Sequence, residues 1–123
     1  MNFKVIGFAT ARTSVSNVSK SREWYQNLFD AEPIENLDDF VSFRIAGTCF
    51  DICLADEKSP QSRGGTVGYW LVDSLEGLIE RATAIGGAIY RGPMRVTEMQ
   101  RAIVQIIDPD GNVAGFEAPL DGR

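Results

Sequence analysis

The sequence contains no histidine. That absence removes Ser/His/Asp triads, Cys/His pairs, two-His-one-carboxylate iron sites and the ordinary His-containing zinc sites. No apolar run approaches the roughly 20 residues of a membrane span, so no membrane partner is expected. Basic residues are the minority: 12 Lys+Arg stand against 17 Asp+Glu, and the formal charge of -5 repels polyanions. No nucleic-acid partner is expected either. Cysteine is scarce. Cys49 and Cys53 share a segment of strand pattern, roughly 13 Å apart at about 3.3 Å per residue, beyond the about 7 Å that a disulfide tolerates. Two reduced thiols suit a cytoplasmic protein. The glycines make no phosphate cradle, because Gly64-Gly65 and Gly86-Gly87 precede strands instead of opening helices.

What is present suits one globular domain. The 123 residues, 44% hydrophobic and 24% charged, are enough to own a core. Asn2 to Thr10 alternates as a first strand through Phe3, Val5, Ile6 and Phe8, and Met1 to Ala11 lacks the apolar block of a signal peptide. A helix follows, with Asn17 as N-cap and Val18, Ser21, Trp24, Tyr25 and Leu28 on one face, until Pro33 forbids continuation. Phe40 to Leu54 reads as a hairpin turning at Gly47-Thr48. This register pairs Ile45 with Phe50, Arg44 with Asp51, Phe43 with Ile52 and Ser42 with Cys53. One face is then apolar; the other carries Arg44, Asp51 and both cysteines.

The second half repeats the pattern. Thr66 to Val72 is a strand, and Asp73 with Glu76 makes a capping-box-like start. Leu75, Leu78, Ile79, Ala82 and Ile85 mark an amphipathic helix that stops at Gly86-Gly87. A strand begins at Ala88 to Tyr90. Two more, Arg101 to Ile107 and Val113 to Ala118, are joined by the turn Asp108-Pro109-Asp110-Gly111-Asn112. The expectation is an α+β fold of two βαβββ modules, residues 1–58 and 66–120 around a linker at 59–65, forming curved mixed sheets about a cleft.

Four motifs carry a resemblance: Glu23-Trp24-Tyr25-Gln26-Asn27-Leu28-Phe29; Gly68-Tyr69-Trp70-Leu71-Val72-Asp73-Ser74-Leu75; Ile85-Gly86-Gly87 followed by Arg91-Gly92-Pro93; and Asp108-Pro109-Asp110-Gly111-Asn112-Val113. In order and spacing the chain resembles the vicinal oxygen chelate superfamily of glyoxalases, bleomycin resistance proteins and extradiol dioxygenases. The resemblance implies a homodimer with a ligand cleft. Metal enzymes of the family place ligands at four positions, which fall here at Gly7, around Asp51, at Val67 and at Glu117. Two of the four cannot ligate.

By the family pattern Val67, Tyr69 and Leu71 face the cleft, with Tyr69 placed to stack on a planar ligand, while Gly68, Trp70 and Val72 pack under a helix. Gln105 and Glu117 turn inward by strand parity. Arg44 and Asp51 form a cross-strand ion pair that would orient a ligand if that face lines the cleft. Cys53 shares their face as a lining residue, not as a nucleophile, since Asp51 disfavours its thiolate. Met94 and Met99 are candidates for the pocket edge.

The resemblance thus implies a metal-independent small-molecule-binding protein without cofactor or catalytic residues. Its expected role is to sequester an antibiotic or another planar or apolar compound, and the negative charge agrees with a cationic one. The alternative is a lyase, isomerase or dioxygenase with an atypical metal site.

Overall fold

The computed structural model describes residues 2–63 and 66–120; Met1, Gly64 and Gly65 of the expected linker, and residues 121–123 lie outside it. The order is β1 (Thr10–Val15), α1 (Val18–Phe29), β2 (Glu35–Asn36), β3 (Phe40–Ile45), β4 (Thr48–Leu54), β5 (Tyr69–Leu71), α2 (Leu75–Ala84), β6 (Ala88–Val96), a 3-10 turn (Thr97–Met99), β7 (Arg101–Ile107) and β8 (Val113–Pro119). Two mixed sheets result, ordered β1-β4-β3-β2 and β5-β8-β7-β6. In each the first strand runs parallel to the last of its module, and the other pairings are antiparallel. The α+β, two-module architecture expected from the sequence is the one observed. Among the described residues no helix is long and apolar enough to cross a membrane.

Helix α1 starts where Asn17 Oδ1 accepts the Lys20 N–H at 3.0 Å, and its buried residues are the ones the helical spacing selects. Helix α2 starts one residue later than expected. The cap is Ser74, whose Oγ accepts the Gly77 N–H at 3.0 Å, rather than Asp73.

The apolar faces of both sheets point toward the helices. Val41 with Ile52 and Phe43 with Phe50 are cross-strand pairs, all buried, and Phe50 packs edge-on to Tyr25 of α1 with ring centroids 4.9 Å apart. In the second sheet Val104 and Phe116 pair, buried, in line with Trp70 on β5. Trp70 lies 5.2 Å from Phe29 and 5.7 Å from Phe50, centroid to centroid, so one aromatic cluster joins the two modules. Trp70 is core, as its parity implied.

Two expectations need correction. The first strand is not Asn2 to Thr10. Residues 2–9 belong to no strand, and Phe3, Val5, Ile6 and Phe8 stand 68–95% exposed. The strand is the polar stretch that follows, because the ladder to β4 begins at Thr10 opposite Cys49 and must end just ahead of α1. A strand with one face on its helix and one uncovered needs only Ala11, Thr13 and Val15 to be apolar or small.

The hairpin turns at Ala46-Gly47 rather than Gly47-Thr48. Both residues have positive φ, 50° and 83°, as a two-residue turn matched to strand twist requires. The change moves each partner by two residues and leaves the faces intact. Arg44 therefore lies opposite Cys49, and Asp51 opposite Ser42.

Candidate functional site

Each sheet has a face turned away from its helix, here called its open face. On the second sheet the register sets out that face in transverse rows. Tyr69, Gly115, Gln105 and Arg91 lie side by side across β5, β8, β7 and β6. The next row is Leu71, Glu117, Ile103 and Met94. Beyond it Arg101 stands beside Val96. Cross-strand partners share a face, so the eight positions of these two rows, which the sequence scattered over β5–β8, become neighbours.

Gly115 makes room in the first row. A Cβ there would sit 2.7 and 2.8 Å from two carbons of the Tyr69 ring and 2.8 Å from the Gly68 carbonyl. The ring therefore lies over Gly115, and its hydroxyl accepts a hydrogen bond from Gln105 Nε2 at 2.8 Å. Tyr69, Gln105 and Arg91, with Met94 and Ile103, line a groove of about 220 Å³. Gly115→Ala is expected to lift the ring, break the Gln105–Tyr69 bond and destabilise by about 1–3 kcal/mol through overpacking. Thermal unfolding and the Gln105 side-chain amide resonance would check this; an unmoved resonance would show that the ring never lay there.

Glu117 does turn to the open face, as expected, but its Oε1 is held by Arg101 at 3.3 Å. Leu71 beside it is 63% exposed. Val67 is set apart: it precedes β5 and lines a crevice of about 270 Å³ between β1 and β5 together with Arg12.

The open face of the first sheet holds the remaining candidates. Asp51 is buried there and accepts from Ser42 Oγ at 2.7 Å and from Arg12 Nη2 and Nε at 2.8 and 3.2 Å. The hydrogen bond to Asp51 raises the Arg12 pKa above its usual value. The expected Arg44–Asp51 pair is not formed; Arg44 Nη1 instead donates to the Gly47 carbonyl at 3.2 Å. Cys53 shares this face, and burial pushes its thiol pKa up, with Arg12 opposing, so a thiolate nucleophile is disfavoured.

The repeat shows which positions correspond. Val67 and Thr10 precede α2 and α1 by equal distances, so the counterpart of Val67 is Thr10 and not Gly7. Leu71 pairs with Glu117 as Ser14 pairs with Cys53, which makes Cys53, rather than Asp51, the counterpart of Glu117. Threonine, cysteine, valine and glutamate are a poor ligand set for a catalytic divalent ion. Among the described residues no three Cys, Asp or Glu side chains converge. With Glu117 tied to Arg101 and Asp51 to Ser42 and Arg12, the residues present do not fit the family metal.

Arg12, Arg91, Arg101 and Gly115 are site residues that sequence reasoning missed. Strand parity counted back from Gln105 through Ile103 reaches Arg101. Arg91 needed the β6–β7 register, which is irregular between Ile89 and Met94.

Paired βαβββ modules, each with a helix on one sheet face and polar groups on the other, define the class of fold. The chain belongs to the Glyoxalase/Bleomycin resistance protein/Dioxygenase superfamily, whose family model matches residues 7–116. Solved structures share the fold. A glyoxalase/bleomycin resistance protein/dioxygenase family enzyme from Burkholderia phytofirmans PsJN is 16% identical, with a TM-score of 0.77 over 90% of this chain and 97% of that one. A mutant of the genomically encoded fosfomycin resistance protein of Listeria monocytogenes, complexed with Mn(II) and a dihydroxypropylphosphonic acid, is 24% identical, with a TM-score of 0.73 over 94% and 90%. Lactoylglutathione lyase from Agrobacterium tumefaciens is 16% identical, with a TM-score of 0.74 over 94% and 95%. No curated protein matches the chain.

Proposed function

We propose that this protein binds a small molecule without a metal, in the groove on the open face of the second sheet, and does so as a homodimer. One observation carries the reading: Tyr69, Gln105, Arg91, Met94 and Ile103 line a groove on a face where Glu117, its one carboxylate at a family metal position, is tied to Arg101 and, among the described residues, no three Cys, Asp or Glu side chains converge. The relatives' names add drug resistance to the range of roles, and sequestration of an antibiotic or another planar or apolar compound is the role proposed here. Two unpaired thiols, Cys49 and Cys53, support a reducing, cytoplasmic setting.

Self-association is supported by exposed apolar surface. Phe3, Val5, Ile6 and Phe8 stand clear of the fold, and Tyr69 and Leu71 are uncovered on the open face. A second copy would cover Phe3, Val5, Ile6, Phe8 and Leu71 and wall the cleft, leaving Tyr69 to the groove.

A thermal-shift screen against antibiotics and small aromatic metabolites tests the binding. A ligand at 100 times its dissociation constant stabilises by about 2.7 kcal/mol, and Tyr69→Ala should abolish the shift. Metal analysis of purified protein, with and without added Mn²⁺, Ni²⁺ or Fe²⁺, is expected to show no stoichiometric uptake and no EDTA effect on unfolding. A hit that survives Tyr69→Ala, or one metal ion per chain, would overturn the reading. Light scattering is expected to give two chains per particle; a monomer at every concentration would remove the second copy.

A further inference from the structure

We infer that the ligand of the second-sheet groove is a small oxyanion, a carboxylate or phosphonate with a short apolar or planar body. This rests on the proposed reading of the groove as the ligand site and runs against the sign suggested by the whole chain. The donors and acceptors of the first row decide it. Gln105 Nε2 donates to the Tyr69 hydroxyl oxygen, so the phenolic proton is free to be donated. Arg91 stands next to Gln105 in the same row, and among the described residues its guanidinium has neither a hydrogen bond nor an ion pair. Arginine only donates.

The neighbouring row offers no competing charge. Glu117, its one carboxylate, is already neutralised by Arg101. The groove therefore presents Tyr69 O–H and the Arg91 fork without a free anionic acceptor, inside a chain of formal charge -5. An ammonium ligand would meet an uncompensated guanidinium. An oxyanion would accept charge-assisted hydrogen bonds from it. Met94 and Ile103 set the apolar wall, and the volume of about 220 Å³ is below the roughly 300–1,000 Å³ of drug-sized sites, which keeps the body small.

Calorimetric titration of phenylphosphonate, benzoate, benzyl alcohol and benzylamine into the full chain and its Arg91→Gln, Arg91→Lys and Tyr69→Phe variants tests this. The two oxyanions are expected to bind wild type best. Arg91→Gln should weaken them about tenfold or more, Arg91→Lys should restore part of the loss, and benzyl alcohol should be indifferent to the change. Tyr69→Phe should weaken the oxyanions and leave the ring in place. Unfolding midpoints would show that each variant is folded. If benzyl alcohol or benzylamine binds wild type as tightly as phenylphosphonate, or Arg91→Gln holds the oxyanions unchanged, the oxyanion inference falls and the groove remains a ligand site. Failure of all four probes to bind wild type would overturn the groove reading and this inference with it.

Discussion

Phe50→Ala is expected to lower the unfolding free energy by about 3–5 kcal/mol, the range for truncating a buried aromatic ring. The Phe50 ring is 5% exposed and meets four others, with centroids 4.9 Å to Tyr25, 5.9 Å to Phe29, 5.7 Å to Trp70 and 6.5 Å to Phe43. Tyr25 and Phe29 belong to α1, Phe43 to β3 and Trp70 to β5. Truncation leaves a cavity where the two modules share their core, and the lost contacts on Trp70 loosen the strand that carries Tyr69. Denaturant unfolding followed by tryptophan emission would measure this. Phe50→Leu, which keeps most of the volume, should lose clearly less. A loss under about 1 kcal/mol for the alanine variant would mean that the modules are held together elsewhere.

Tyr25→Phe is the second large effect and depends on pH. The Tyr25 hydroxyl, buried, donates to Asp108 Oδ2 at 2.7 Å, while Asp108 Oδ1 accepts the backbone N–H groups of Asp110 and Asn112 at 2.9 Å each. Burial raises the Tyr25 pKa well above its usual value, and the Asp108 charge adds to that, so the phenol stays a donor. Burial also raises the Asp108 pKa, and its hydrogen bonds, Tyr25 first, partly oppose the rise.

A carboxyl whose folded pKa lies above its unfolded one binds more protons when folded, so its contribution favours the fold at low pH and declines as pH rises through that interval. Removing the phenol raises the Asp108 pKa further and steepens the decline. At neutral pH the hydrogen bond to a charged acceptor is lost, at about 1.5–3 kcal/mol; at acid pH a neutral one is lost, at about 0.5–1.5 kcal/mol. Denaturant curves for wild type and variant between about pH 3 and pH 7 should therefore diverge with rising pH. Parallel curves would show that Asp108 does not ionise within the fold.

Much of the scaffold was legible locally. The α1 face, the Asn17 cap, the duplication and the inward parity of Gln105 and Glu117 follow from spacing, because helical and strand periods act over a few residues. The first strand was misplaced for a related reason. Alternating Phe3, Val5, Ile6 and Phe8 satisfy the strand pattern better than Thr10–Val15, yet backbone pairing to β4 selected the polar segment. The Arg44–Asp51 pair failed because turn geometry at Ala46-Gly47 displaced each partner by two residues without altering which face it occupies.

The sequence by itself determined the two-module α+β class, the apolar faces beneath the helices and, through its lack of histidine, the loss of an ordinary family metal site. Only the tertiary structure decided which charges meet. Arg12 reaches Asp51, Arg101 reaches Glu117, and Arg91 is left beside Tyr69 and Gln105. Those pairings join strands distant in the chain, and their register is set by turns, bulges and packing, which no local period encodes.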